Sequence, residues 1–253
     1  MESVMNHPVL VFVVTFLVLW LAGRVGAALQ NKRQEMTPEE HEDYGVILAS
    51  TLTLLGLIIG FTFSMAISRY DQRKNYEEAE ANAIGTEYVR AELLPSASAE
   101  KVRQLLKSYL EQRVLFYETR SGERLQEVNA RTAQLQEQLW DAVKTPALEQ
   151  PSPVQALAVA GMNDVLNSQG YTQAAWWNRI PSAAFVLMWA IAVCCNLMIG
   201  YYVRPAGRHW MRLVVMPLVV AVSFFLISDI DSPRWGVIQV VPQNLVSLAQ
   251  SLK

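Results

Sequence analysis

Residues Gly45–Ile67 read GVILASTLTLLGLIIGFTFSMAI and run without a break into Ser68–Pro95, SRYDQRKNYEEAEANAIGTEYVRAELLP. No charged residue falls between Gly45 and Ile67. That length crosses the roughly 30 Å hydrocarbon core of a bilayer as a helix. The continuation is charged, holds no proline before Pro95 and has one weak point, Gly85. The pattern predicts one long helix that leaves the membrane, carries its second half into water and stops at Pro95. Small residues recur at every fourth position across the exit: Gly56, Gly60, Ser64 and Ser68. In lipid such a stripe lets a second helix approach closely. A buried packing seam is the commoner outcome and a pore lining the alternative.

The rest of the composition agrees with a membrane protein. The 253 residues are 52% hydrophobic and 17% charged, with a mean hydropathy of +0.17. Both shifts come from a few concentrated segments, which a large soluble core would not produce. A formal charge of −2 gives no case for a nucleic-acid partner. Cys194 and Cys195 are adjacent; on a helix they point about 100° apart and offer no chelating pair. His7, His41 and His209 are scattered, so neither a metal site nor a cofactor is expected.

Outward from the central stretch, the chain predicts an all-α membrane protein. Four transmembrane helices are expected at 8–29, 45–67, 182–203 and 213–230, with the second continuing to about residue 94. A helical extramembrane domain, 68–181, is inserted between spans 2 and 3, and a tail covers 231–253. In the first span Arg24 has to snorkel to the interface. Val25-Gly26-Ala27 resembles a signal cleavage site, but MESVMNH before the apolar run has no Lys or Arg. A retained anchor is the better reading. Thr37, Pro38 and Glu40 form a capping-box pattern ahead of the long helix.

In the inserted domain, Ser96 or Ser98 is expected to cap a helix over 100–119. Ser121-Gly122 then breaks the chain. Leu125, Val128, Thr132, Leu135, Leu139 and Ala142 follow in alternating steps of three and four, a short heptad seam. Pro146, Pro151 and Pro153 read as a loop, and a short helix from Val154 ends near Gly170. Trp176, Trp177 and Arg179 read as a membrane interface. Near the end GVIQVV looks extended, and Pro242 or Asn244 is placed to start a last amphipathic helix.

No catalytic constellation is present: there is no phosphate-cradling glycine loop, no GxSxG and no HExxH. An enzyme is therefore not expected. The polar clusters lie where spans 2 and 4 emerge: Arg69, Asp71 and Arg73 on one, Asp229 and Asp231 on the other. Arginine–aspartate pairing between the helices is one reading. A cation site or charged pore vestibule is the other. Glu77 and Glu80 are placed to meet arginines of neighbouring helices, and Asn196 to hydrogen-bond another helix. Phe61, Phe63, Phe224 and Phe225 are candidates for an apolar constriction. Arg24, Lys32, Arg33, Arg204, Arg208 and Arg212 flank the two short loops, which the positive-inside rule draws to the cytoplasm. Arg69, Arg73, Lys74, Arg179 and Arg234 on the opposite side oppose that assignment.

The stretch Ser68–Pro95, the pair AGMNDVLNS (160–168) and RIPSAAF (179–185), and DIDSPRWGVIQV (229–240) resemble the bestrophin-like family of bacterial membrane proteins. The resemblance covers the chain from Gly45 onward. It implies a distant likeness to bestrophins, which are homopentameric anion channels with four spans and a helical domain. By that analogy the chain is a multi-pass protein of the bacterial inner membrane. Its partners are the lipid bilayer, further copies of itself as a homo-oligomer (a pentamer by analogy) and inorganic ions. It conducts passively on the oligomer axis, anions slightly favoured, and the helical domain is cytoplasmic. The alternative is a non-conducting scaffold or signalling protein that binds a partner through the heptad face.

Overall fold

The computed structural model describes residues 7–30, 37–202 and 209–252, with side chains at all of these except 209–212. The two short loops, with Lys32, Arg33, Arg204 and Arg208 of the topology argument, lie outside the described residues. Among the described residues the fold is all helical. The elements are α1 (Pro8–Gln30), α2 (Pro38–Arg90), a 3-10 turn (Ala91–Leu93), α3 (Ser96–Glu118), α4 (Gly122–Glu149), α5 (Pro153–Trp177), α6 (Ser182–Tyr202), α7 (His209–Asp231) and α8 (Gln243–Ser251). Four are long and apolar enough to cross a membrane: α1, α2, the run Pro153–Tyr202 that contains α6, and Leu213–Asp231 of α7.

Two compact units result. One joins the chain up to Ser68 with Arg179–Ile238, and the other joins Arg69–Asn178 with the segment from Gln239 onward. The single helix α2 contributes its apolar half to the first and its charged half to the second. Its start is a closed capping box: Glu40 N–H donates to Thr37 Oγ1 (3.2 Å) and Thr37 N–H donates back to Glu40 Oε2 (2.9 Å). The pair satisfies two of the amides that a helix start leaves free.

In the membrane unit α1 packs against α6 and α7. The close approach to α6 is made by glycines outside the small-residue stripe of α2. A Cβ on Gly26 would overlap the Leu197 carbonyl oxygen, and a Cβ on Gly200 would overlap that of Gly23. The backbones touch, which compensates for the weak drive for helix association in lipid. Against α7, Phe12 meets Phe225 edge-on at 6.4 Å. Asn196 is buried and donates to Ala192 O of its own helix (2.8 Å), not to another helix as expected. One turn back along α6 is its nearest acceptor.

In the helical unit α3, α4 and α5 surround a core that includes Leu106, Tyr109, Phe116, Leu135, Leu139 and Met162. Local punctuation is overridden here in several places. α4 continues through Pro146, where a loop was expected, because Pro146 is buried together with the seam residues before it. α5 continues through Gly170 to Trp177, since its buried face runs on through Thr172, Ala175 and Trp176. A glycine costs about 1 kcal/mol in a helix, less than the burial of that last turn contributes. α3 begins at Ser96 directly after Pro95, with no side-chain cap. Trp176 is not an interfacial anchor: it packs against Phe116 (4.9 Å) and Tyr117 (5.3 Å), leaving Trp177 exposed.

Candidate functional site

The apolar half of α2 has two unlike sides. Leu48, Leu55, Thr62 and Ala66 are buried. Their steps of seven, seven and four follow one helix face. Gly56, Gly60, Phe61, Ser64 and Ser68 lie on the exposed side, and Phe63 is half-buried between the two. A Cβ added at Gly56 or Gly60 would meet no other atom within 4 Å, and Phe61 is 65% exposed. Among the described residues of one chain, then, nothing packs on Gly56 or Gly60 of the stripe. The reason lies in α1: Gly23 and Gly26 already provide the close contact that α6 needs.

Hydroxyl chemistry divides along the same helix. Ser50, Thr51, Thr53 and Thr62 each donate to the carbonyl four residues back, at 2.7–2.8 Å. This removes their hydrogen-bonding demand in lipid. Ser64 and Ser68 make no such bond among the described residues, so their hydroxyls are available to water or an ion.

The proposed constriction is not assembled as a set. Phe224 is fully buried in the membrane unit and Phe225 is turned to Phe12; only Phe61 stands open.

The charged residues at the span ends are used locally. Asp231 accepts from Arg179 Nε (3.2 Å) and from the Ile180 N–H (3.1 Å). Asp229 accepts from the N–H groups of Val237 (2.7 Å) and Ile238 (2.8 Å). These bonds fold the chain after α7 into a turn over 233–235 and bend 236–238, the first half of the GVIQVV stretch expected to be extended. Gly236 is required there, since a Cβ would overlap the Asp229 carbonyl oxygen. In the helical unit Arg69 donates to Asn178 Oδ1 (2.9 Å). Arg73 is buried, while Asp71 and Lys74 face outward.

The second half of α2 carries three buried glutamates, Glu77, Glu80 and Glu87. Glu80 meets the arginine expected of it: Arg113 of α3 donates to both carboxylate oxygens, and the Thr172 hydroxyl of α5 adds a third bond (3.0 Å). Burial, then the neighbouring Glu80 charge, pushes the hydroxyls of Tyr109 and Tyr117 above the usual phenol range. Both therefore stay neutral beside the pair. Among the described residues Glu77 accepts no hydrogen bond from an arginine. It accepts from the Leu245 N–H (2.9 Å) and Asn244 Nδ2 (2.6 Å), at the start of α8. Helix starts expose free N–H groups and attract carboxylates. The sequence offered Pro242 or Asn244 as the start of the last helix, and α8 begins at Gln243 directly after Pro242, but the sequence held no signal that Glu77 would receive it.

Four membrane-crossing helices with an inserted helical unit define a multi-pass helical membrane protein. A family model for the bestrophin-like domain matches residues 9–245, and the chain belongs to that family. Its fold is that of a bacterial bestrophin homolog from Klebsiella pneumoniae. One single-substitution variant of that protein superposes with a TM-score of 0.64 at 13% identity, covering 95% of this chain and 97% of its own. A second variant gives 0.63 at 13% identity, covering 94% and 99%. A further structure of the homolog gives 0.62 at 13% identity, covering 94% and 98%. At this identity the likeness shows the fold alone. No curated protein matches the chain.

Proposed function

We propose that the chain assembles as a homo-oligomer, a pentamer by analogy, and conducts ions passively through a pore on the oligomer axis. The lining is the exposed side of α2: Gly56, Gly60, Ser64 and Ser68, with Phe61 as the apolar element. One observation carries this reading. A membrane helix turns toward its surroundings a small-residue face that none of the described residues covers, and two hydroxyls on that face are not returned to the backbone among those residues. Small side chains leave room for a conduit where copies of one helix surround an axis, and apolar rings gate such conduits by dewetting.

Anions are favoured, on the strength of the bestrophin resemblance and of where the acids go. Asp229 and Asp231 are committed to backbone N–H groups and Arg179. They act as local fasteners, which leaves Asp71 as the exposed acid of the exit cluster. The protein is placed in the bacterial inner membrane with its helical unit in the cytoplasm, and no enzymatic role is assigned. The scaffold reading loses its motive, because the heptad face that was to bind a partner is buried inside the helical unit.

Ion flux from proteoliposomes under separate chloride and potassium gradients tests the function. Chloride-selective flux is expected; absence of flux from a correctly inserted oligomer would remove the channel reading. For the lining, Ser64→Cys in a conducting protein is expected to react with aqueous thiol reagents. Complete protection would make the stripe an interface between copies only.

A further inference from the structure

Glu87 lies on α2 seven residues beyond Glu80 and is completely buried. Among the described residues neither of its carboxylate oxygens receives a hydrogen bond. It differs in this from Glu77 and Glu80, whose oxygens all have donors. Opposite it stands Gly161 of α5, where a Cβ would overlap Glu87 Oε2 and lie 2.7 Å from Arg90 Nη1. The contact between the helices is therefore closed over a carboxyl group that has no donor. The charged groups facing it are Arg90 of α2 and Asp164 of α5, whose own contact is a loose 4.0 Å. From the 3-10 turn, Glu92 is held by Arg103 of α3.

An ionised carboxylate sealed from water without donors is strongly disfavoured, and the neutral acid is not. We propose that Glu87 is a proton-controlled latch between α2 and α5. Helix α5 seats on α2 over a neutral carboxyl group under Gly161, and it loosens when that group ionises and draws Arg90 away from Asp164. Burial pushes the Glu87 carboxyl up from 4.5 to about 8, with Arg90 lowering it and Asp164 raising it. The packed state thus holds a proton that the open state releases. Seating is firmest below pH 4.5, weakens as the pH rises, and has lost this contribution above about 8. A transition in that range falls near neutral pH, unlike that of an ordinary carboxylate.

The latch is tested without reference to ion flux. Hydrogen exchange of the α5 backbone is followed in the full-length protein in lipid nanodiscs, from about pH 6 to about pH 9.5, after correction for the intrinsic exchange rate. Protection over 154–166 is expected to fall with rising pH in the wild type and to stay level in Glu87→Gln. In Asp164→Asn, which alters an exposed side chain and leaves the core intact, the midpoint is expected at lower pH. A level wild-type profile, an identical profile in Glu87→Gln, or an unmoved midpoint in Asp164→Asn would overturn the latch.

Discussion

At the scale of single residues, two kinds of contact decide how this chain holds together. Gly26 and Gly200 exist for backbone approach, since α1 and α6 leave no room for a methyl group at either. Gly200→Ala is expected to force the helices apart and cost about 1–3 kcal/mol, the usual range for overpacking. The measurement is thermal stability of the detergent-solubilised protein, with Gly56→Ala as the control that changes nothing within a chain. Glu80 and Arg113 are the second kind, a buried ion pair with Thr172 attached. Removing one partner strands a charge, so Arg113→Ala is expected to cost about 3–5 kcal/mol. Replacing both, as Glu80→Leu with Arg113→Met, is expected to restore most of that, because the desolvation penalty goes with the charges. A double variant as unstable as Arg113→Ala would mean that Thr172 and the surrounding tyrosines depend on the pair itself.

At the scale of elements, α2 organises both units by presenting different chemistry along its length. Its apolar half turns Leu48, Leu55 and Ala66 inward and leaves the glycines and serines outward, together with large apolar side chains such as Leu54, Leu57, Phe61 and Met65. Its charged half is amphipathic by polarity: of its inward carboxylates Glu77 and Glu80 each take a separate partner, and Glu87 receives no donor among the described residues. Glu77 holds the start of α8 through two hydrogen bonds to a charged acceptor, each worth about 1.5–3 kcal/mol. Glu77→Ala is expected to release α8 from α2 while leaving α3–α5 folded. Limited proteolysis would read this as new cleavage after Gln239. Undiminished protection would show that the apolar contact of Leu245 suffices.

At the scale of the whole molecule, the buried heptad face separates the two functional readings. Leu135 lies in the core of the helical unit, 1% exposed, so Leu135→Glu places an unpaired charge among apolar side chains. It is expected to unfold that unit, seen as loss of helical signal and lower yield. A protein that kept its fold and lost only a binding partner would revive the scaffold. The open face of α2 fits the proposed channel, in which copies of the chain would meet around it.

The sequence alone determined the parts whose signals are local and periodic. Hydropathy marked the four spans, the absence of proline carried the long helix toward Pro95 (α2 itself ends at Arg90 and gives way to a 3-10 turn), Thr37 and Glu40 wrote its start, and the three-and-four spacing at 125–142 named its own buried side. Tertiary structure decided whatever depends on partners far apart in the chain: Gly26 on Leu197, Glu77 on Leu245, Asp231 on Ile180. It also decided that α4 and α5 run through Pro146 and Gly170, and that the stripe at Gly56–Ser68 stays open among the described residues while glycines of α1 and α6 with no packing role assigned from sequence make the tight contact. The physical reason is the same in each case. Propensity and periodicity amount to a few tenths of a kcal/mol per residue, whereas burial and charge pairing each amount to several, and those terms exist only once distant segments have met.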